Sequence, residues 1–115
     1  MPAVVTHGVV RSAANIDPAW IGTDVRRLLG ERLGRPVTVV NDADAAGVGE
    51  MHFGAARNAD GLVLVSTLGT GIGSALIYNG VLIPNSELGH LEIDGRDAEQ
   101  RAASSVKDDK NLTWQ

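Results

Sequence analysis

The segment that most limits how this chain can fold is a glycine turn with an apolar run on each side. Residues 69–73 carry glycine at every second position, the apolar residues 62–65 precede them, and the apolar residues 75–78 follow. Asn79 and Gly80, a pair typical of type I′ hairpin turns, then lead into a third, short apolar run. The pattern predicts three consecutive antiparallel strands, a β-meander, with the glycine turn between the first two.

The glycine turn is open to two interpretations. Glycine lacks a Cβ atom, so a glycine-rich backbone can adopt positive φ angles and approach a ligand closely. Successive N–H groups in such a turn form an anion site, to which the hydroxyls of Thr70 and Ser74 can add donors. The functional interpretation is a phosphate-binding loop, and the alternative is an ordinary hairpin turn. The spacing G-x-G-x-G excludes a dinucleotide fingerprint, and the lack of a following lysine excludes a Walker A loop.

Composition narrows the class of protein. At 115 residues the chain is one domain or a part of one, and its 43% hydrophobic content with only 3% aromatic residues points to an aliphatic core. The net charge of −4 argues against a nucleic-acid-binding surface, which would need a basic patch. The lack of cysteine excludes disulfides and thiolate zinc sites.

No apolar run is long enough to cross a membrane and no signal-peptide pattern is present, so we expect a cytoplasmic protein.

The rest of the chain alternates predicted strands and helices. Gly47 and Gly49 each weaken a predicted helix by about 1 kcal/mol, so we expect the face that carries them to pack closely on another element. The order of elements predicts an α/β fold. Six elements are indicated by apolar periodicity and turn-forming residues: a short strand or hairpin at residues 4–10, a turn at 15–18, a strand at 37–40, and helices at 23–33, 43–56 and 97–106.

Asp42 is the first chemical group of interest, because it lies where a predicted strand ends and a predicted helix begins. Ligands of α/β sheets bind at this edge, and a carboxylate there can act as a general base. The alternative is that Asn41 or Asp42 simply caps the helix. Asp44 is interpreted as a first-turn acid that interacts with the helix dipole.

Glu87 and His90 form a second polar pair, three residues apart in a turn. They suit a metal pair, a sugar-binding pair or a loop-capping motif. Two candidate ligands without cysteine argue against a structural metal. Sugar hydroxyls suit them better, because a carboxylate accepts hydrogen bonds and an imidazole can donate or accept them.

Three motifs together resemble the ROK family, which comprises repressors, uncharacterised reading frames and sugar kinases. They are residues 41–46 (Asn-Asp-Ala-Asp-Ala-Ala), residues 68–73 (Leu-Gly-Thr-Gly-Ile-Gly) and residues 87–90 (Glu-Leu-Gly-His), in the family's order and spacing. Residues 12–17 and 84–95 make the chain most similar to the branch of polyphosphate/ATP glucokinases. The resemblance covers essentially the whole chain.

The resemblance implies an actin-like, ribonuclease-H-like fold of two α/β lobes with the active site between them. Residues 1–57 would form the C-terminal part of the first lobe, and residues 58–115 the N-terminal part of the second. The implied reaction is phosphoryl transfer from polyphosphate, ATP or both to the 6-hydroxyl of glucose, with Asp42 as catalytic base. The remaining site residues that the resemblance implies are sugar ligands at Asn41, Gly71, Glu87, His90 and Glu99, and phosphate ligands at Gly69, Thr70, Gly71 and Gly73.

The resemblance also implies magnesium with the phosphoryl donor, and a homodimer for the full-length protein. Many family members hold zinc between a histidine like His90 and a cysteine cluster. This chain has no cysteine, so we expect no zinc here. The family's first phosphate loop, Asp-x-Gly-Gly-Thr, has no counterpart in this sequence. We therefore expect the chain to be an internal part of a kinase and inactive alone. The alternatives are a sugar-binding transcriptional regulator of the same family and an inactive sugar-binding module.

Overall fold

The structure, a computed structural model, describes residues 1–14 and 16–113. The predicted turn at residues 15–18 falls partly outside this range, because Asn15 is not among the described residues. In the described part of that turn, Asp17 caps a short 3₁₀ helix at Pro18–Trp20, and its carboxylate accepts a hydrogen bond from the Ala19 N–H at 2.9 Å. The cap agrees with the turn-forming character of this segment.

The N-terminal part forms a small unit around buried Ala3, Val10 and Val25. Of the two alternatives for residues 4–10, the hairpin is the one that forms, with antiparallel strands β1 (Val5–Thr6) and β2 (Val9–Val10). Helix α1 (Val25–Leu33) starts two residues later than predicted, because the side chain of Asp24 caps it and accepts a hydrogen bond from the Arg27 N–H at 2.9 Å.

The predicted strand at residues 37–40 is wrong. No strand is assigned there, and none of the described residues forms a β-ladder with this segment. Its contact with another backbone is a hydrogen bond from the amino group of Met1 to the Val40 carbonyl at 2.9 Å. β-Branched residues favour an extended backbone, but a strand also needs a neighbouring strand to satisfy its N–H and C=O groups.

Helix α2 (Asp42–Phe53) begins one residue before the predicted start and ends three residues before the predicted end. The side-chain carbonyl of Asn41 accepts hydrogen bonds from the N–H groups of Ala43 at 2.7 Å and Asp44 at 3.4 Å. Asn41 is therefore the cap of this helix, and Asp42 is not.

The β-meander is confirmed. Strands β3 (Leu62–Leu68), β4 (Ile72–Tyr78) and β5 (Val81–Ile83) form one antiparallel sheet in the order β3-β4-β5. Asn79 and Gly80 join the last two strands with φ angles of 47° and 79°. Positive φ at both positions is what a type I′ turn requires.

Helix α2 packs on this sheet, and Gly47 is the point of closest approach. A Cβ atom at Gly47 would lie 2.5 Å from the Cβ of Ala75 and 3.2 Å from Cδ1 of Ile77. Ala75 and Ile77 on β4 are both fully buried by this contact. The expectation of close packing is confirmed for Gly47 and wrong for Gly49, where an added Cβ would meet no atom within 4 Å.

The C-terminal part is less regular than predicted. Strands β6 (Glu92–Ile93) and β7 (Arg96–Asp97) form a hairpin before helices α3 (Glu99–Ala102) and α4 (Ser104–Asp109). The single helix predicted at residues 97–106 is broken at Ala103, which is extended (ψ 158°) and buried. Among the described residues, no helix has the length and apolar character to cross a membrane.

The division into two lobe segments at residues 57 and 58 remains a prediction. The loop at that point connects α2 to β3, and α2 packs on the sheet that follows the loop. The packing therefore joins elements from both sides of the expected boundary.

Substitutions at the two helix glycines should have opposite effects on stability. Gly47→Ala should lower the free energy of unfolding by about 1–3 kcal/mol, because the methyl group overpacks against Ala75. Gly49→Ala is the matched control and should raise it by up to about 1 kcal/mol, because only helix propensity changes. Urea unfolding followed by circular dichroism measures both values. Equal effects of the two substitutions would contradict the packing described here.

Candidate active site

One open cleft, with a volume of about 720 Å³, brings together every residue that the sequence analysis assigned to the site. The N-terminal segment before β1, the start of α2, the glycine turn and the turn after β5 all contribute to it. Its polar side chains come from distant parts of the sequence. The predicted site residues among its lining are Asn41, Asp42, Gly69, Thr70, Gly71, Gly73, Glu87, His90 and Glu99.

Asn41 and Asp42 occupy one end of the cleft at the start of α2. The Asn41 side chain is nearly buried and is held at both ends: its oxygen caps the helix, and its amide nitrogen donates to the Ala3 carbonyl at 3.3 Å and to Oε1 of Glu87 at 3.4 Å. Asp42 is exposed, and its carboxylate accepts no hydrogen bond from the described residues. Because Asn41 already caps the helix, the carboxylate of Asp42 remains available to a ligand.

The glycine turn has a different physical basis from the one predicted. None of Gly69, Gly71 and Gly73 has a positive φ angle. Gly71 and Gly73 are instead required because neighbouring atoms leave no space for a side chain at these two positions. A Cβ at Gly71 would lie 2.5 Å from Oε2 of Glu99, and a Cβ at Gly73 would collide with the Thr67 hydroxyl and lie 2.9 Å from the Cβ of Ala43.

Side chains from the C-terminal helices brace this turn. Oε2 of Glu99 accepts a hydrogen bond from the Ile72 N–H at 3.3 Å. The hydroxyl of Ser104 donates to the Gly69 carbonyl, and the hydroxyl of Ser105 donates to the Thr70 carbonyl at 2.7 Å. The carbonyl groups of the turn are thus bound by protein on one side. The sequence analysis gave no signal for the two serines, because it placed both inside a single helix at residues 97–106.

Ser74 does not add a donor to the turn, so that part of the sequence interpretation is wrong. Its side chain is buried, and its hydroxyl oxygen accepts a hydrogen bond from the Leu88 N–H at 2.8 Å. It also lies 3.2 Å from the hydroxyl of Ser86. Ser74 connects β4 to the segment that carries Glu87.

His90 lies among three carboxylates. Its Nδ1 is 3.1 Å from Oδ2 of Asp97 and 3.8 Å from Oε1 of Glu99, and its Nε2 is 3.7 Å from Oε2 of Glu87. The pKa of His90 lies above its usual value of 6.5, mainly because of the hydrogen bond to Asp97. Desolvation is the next largest effect and lowers the pKa, and the negative charges of Glu99, Glu87 and Asp97 each raise it by less.

Asp97 is a site residue that the sequence analysis missed. It reaches His90 because the hairpin of β6 and β7 turns at Asp94 and Gly95, which have φ angles of 50° and 75°. An Asp-Gly pair is a hairpin signal of the same kind as Asn79 and Gly80. That signal would have predicted the fold-back of this segment.

A metal ion also has candidate ligands here. His90, Asp97 and Glu99 each offer one ligand atom, and these atoms lie within 4.8 Å of one another. The sequence analysis had found only Glu87 and His90. Exposed carboxylates group in this way without a metal, and structural zinc sites use mainly cysteine and histidine. The expected lack of zinc remains a prediction.

The sequence is similar to a known protein family and to characterised members of it. A model of the ROK family matches residues 1–106. Polyphosphate glucokinase of Mycobacterium tuberculosis (strain ATCC 25618 / H37Rv) is 60% identical over 114 residues, which are 98% of this chain and 43% of the relative.

Two crystal structures are similar as well. Inorganic polyphosphate/ATP-glucomannokinase from Arthrobacter sp. strain KM superimposes with a TM-score of 0.90 and 57% identity, over 99% of this chain and 45% of that one. A ROK family glucokinase from Streptomyces griseus, in complex with glucose and AMPPNP, gives a TM-score of 0.79 and 31% identity, over 91% and 38%. The chain thus spans less than half the length of these relatives. The predicted fold class, part of an actin-like α/β fold, is confirmed.

The titration of His90 should depend on Asp97. In Asp97→Asn the pKa of His90 should fall towards its usual value, because a neutral amide stabilises the imidazolium less than a carboxylate does. The raised pKa adds to folding stability below the unfolded value near 6.5, and this contribution is lost as the pH rises through the folded value. NMR titration of the imidazole measures the change. Asp94→Asn is the control, since Asp94 pairs with Arg101 at 2.7 Å instead. An unchanged titration midpoint in Asp97→Asn would contradict the assignment.

Proposed function

The chain belongs to the ROK family, and on that premise we propose that this protein acts as a glucokinase that uses polyphosphate, ATP or both. It transfers a phosphoryl group to the 6-hydroxyl of glucose and forms glucose 6-phosphate. One observation carries the proposal: the free carboxylate of Asp42 and the backbone of the glycine turn face the same cleft. The names of the similar proteins, polyphosphate glucokinase and polyphosphate/ATP-glucomannokinase, support the choice of donor and acceptor.

Asp42 is the proposed general base. The sugar hydroxyl oxygen attacks the terminal phosphorus of the donor, a new P–O bond forms, and the bond to the leaving phosphate chain breaks. The hydroxyl proton passes to the carboxylate of Asp42. Phosphoryl transfer is catalysed mainly by positioning and charge stabilisation, so one carboxylate beside the acceptor is enough for the proton. Its lack of hydrogen bonds among the described residues leaves it free for this role.

Four neighbouring side chains are the proposed sugar ligands, with Gly71 close beside them. Asn41 and Glu87 already contact each other at 3.4 Å, so they present a connected pair of amide and carboxylate to a sugar. Glu99 uses Oε2 for the Ile72 N–H, which leaves Oε1 beside His90. A protonated His90 donates hydrogen bonds, whereas the carboxylates accept them, and together they suit the paired donor and acceptor character of sugar hydroxyls.

The glycine turn is the proposed site of the phosphoryl donor, through the backbone of Gly69, Thr70, Gly71 and Gly73. Its position in the same cleft, beside the start of α2, supports transfer to a sugar bound next to Asp42. Among the described residues, no lysine or arginine lines the cleft, while Asp42, Glu87 and Glu99 do. A polyanionic donor would be repelled by these carboxylates. We therefore propose that magnesium accompanies the donor, where it would neutralise phosphate charge.

Two further proposals concern the full-length protein, the first from the family resemblance and the second from the sequence analysis. The full-length protein is a homodimer, and it is cytoplasmic. Size-exclusion chromatography with light scattering tests the first of these. A sugar-responsive regulator or an inactive sugar-binding module would bind glucose in the same cleft without forming glucose 6-phosphate, so a product assay on the full-length protein separates these functions.

Asp42→Asn should lower the kcat of the full-length enzyme by roughly 10²–10⁴-fold while KM for glucose stays close to its original value. The substitution removes the base and preserves the shape of the side chain. The measurement is a coupled assay of glucose 6-phosphate with polyphosphate and with ATP. Glu31→Gln on the exposed face of α1 is the control and should leave kcat unchanged. A kcat retained by Asp42→Asn would exclude Asp42 as the base.

Removal of magnesium should abolish activity, and a zinc-selective chelator should leave it unchanged. The physical reason is that the polyphosphate donor needs neutralisation, whereas the cleft offers no cysteine to zinc. Activity assays with each chelator, together with metal analysis of the purified protein, provide the test. One tightly bound zinc per chain, lost in His90→Ala, would contradict the expectation.

A further inference from the structure

Asp44 is a buried carboxylate that the mechanism above does not use. It lies in the first turn of α2, as the sequence analysis expected, but it is only 1% exposed and its carboxylate is enclosed by protein. Its Oδ2 accepts a hydrogen bond from the Asn85 N–H at 3.0 Å. Its Oδ1 is buried and has no hydrogen-bond partner among the described residues. Burial of a carboxylate is unfavourable unless hydrogen bonds or opposite charges compensate for the lost water. The hydrogen bond from Asn85 provides part of this compensation and ties the two segments together.

Asn85 also makes hydrogen bonds to the N-terminal hairpin. Its side-chain oxygen accepts from the Val5 N–H at 3.0 Å, and its side-chain nitrogen donates to the Val5 carbonyl at 2.9 Å. The side-chain amide of Asn85 thus pairs with both backbone groups of Val5 on β1. Because its own N–H is held by Asp44, Asn85 connects α2, β1 and the turn after β5.

The other side of Glu87 is anchored to β4. The hydroxyl of Ser86 donates to the Ser74 carbonyl at 3.0 Å, and the Leu88 N–H donates to the Ser74 hydroxyl at 2.8 Å. Glu87 lies between the hydrogen-bonded residues Ser86 and Leu88 and has φ 36° and ψ 40°. This is a left-handed backbone conformation that residues other than glycine rarely adopt. Such a conformation persists only where the surrounding contacts impose it.

We infer that Asp44 is a positioning residue for Glu87: by holding the Asn85 N–H, it fixes the turn that presents the Glu87 carboxylate to the cleft. The inference rests on the proposed role of Glu87 as a sugar ligand. Asp44 does not line the cleft itself, so it acts through the turn and not on the sugar. The requirement is for a hydrogen-bond acceptor at Oδ2, and an uncharged acceptor of the same shape meets it.

The kinetic test uses the full-length protein and three single variants. Asp44→Leu removes the acceptor at similar volume, and KM for glucose should rise roughly 10-fold or more with little change in kcat. Asp44→Asn keeps an acceptor oxygen and should restore KM to within about 3-fold of the original value. If Asp44→Leu fails to fold, Asp44→Ala replaces it, because it removes the same acceptor with a smaller side chain. Asn85→Gly keeps the N–H that Asp44 holds and loses only the bridge to Val5, so it tests the second anchor of the same turn and should also raise KM.

A double-substitution cycle separates positioning from a direct effect. In a Glu87→Gln background, Asp44→Leu should raise KM by no more than about 2-fold further, because both changes remove the same sugar contact. A full additional effect in that background would overturn the inference. So would an unchanged KM in both Asp44→Leu and Asn85→Gly.

Hydrogen exchange gives a readout that does not depend on the reaction. Asp44→Leu should speed exchange of the amides of residues 85–88 and leave those of β3 and β4 unchanged, whereas Asp44→Asn should leave all of them protected. Uniformly faster exchange across the protein would identify Asp44 as a general stability residue and overturn the inference. If the original protein forms no glucose 6-phosphate, the proposed function fails, and the exchange pattern still decides whether Asp44 holds the turn.

Discussion

The close approach of α2 to β4 is the contact on which the rest of the structure depends. The helix contacts the strand at Gly47 with no room for a side chain, and nearer the start of the helix a Cβ atom added at Gly73 would lie 2.9 Å from the Cβ of Ala43. Since Gly73 belongs to both the glycine turn and β4, these two contacts fix the start of α2 beside that turn. Asn41 and Asp42 therefore face the turn because of packing further along the helix.

The glycines of the turn illustrate the same dependence on packing. Gly71 and Gly73 leave space for Glu99, Thr67 and Ala43, and none of the turn glycines uses a backbone conformation that other residues avoid. Glu99 can approach the turn because Gly71 has no side chain, and from there it also reaches His90. The carboxylate of Glu99 on α3 can therefore line the cleft only because Gly71 has no Cβ atom.

Local patterns predicted the parts of the fold that neighbouring residues control. Asn79 and Gly80 set the hairpin because positive φ at two adjacent positions is a property of those residues. The cap at Asn41 depends on a side chain and the N–H groups two and three residues later. The segment at residues 37–40 failed as a prediction because a strand requires a partner, and its own residues cannot supply one. Asp97 was missed although the turn at Asp94 and Gly95 follows the rule applied successfully at Asn79 and Gly80.

The sequence by itself determined the β-meander, the start of α2, and the set of groups that meet in the cleft, since each of these depends on short-range chemistry or on motifs with fixed spacing. Only the tertiary structure decided what those groups do to one another. It buried Asp44 and left Asp42 exposed, although the two carboxylates lie in the same helical turn. It also surrounded His90 with carboxylates from three segments. Burial and charge at a residue depend on what packs against it, and that information is spread over the whole chain.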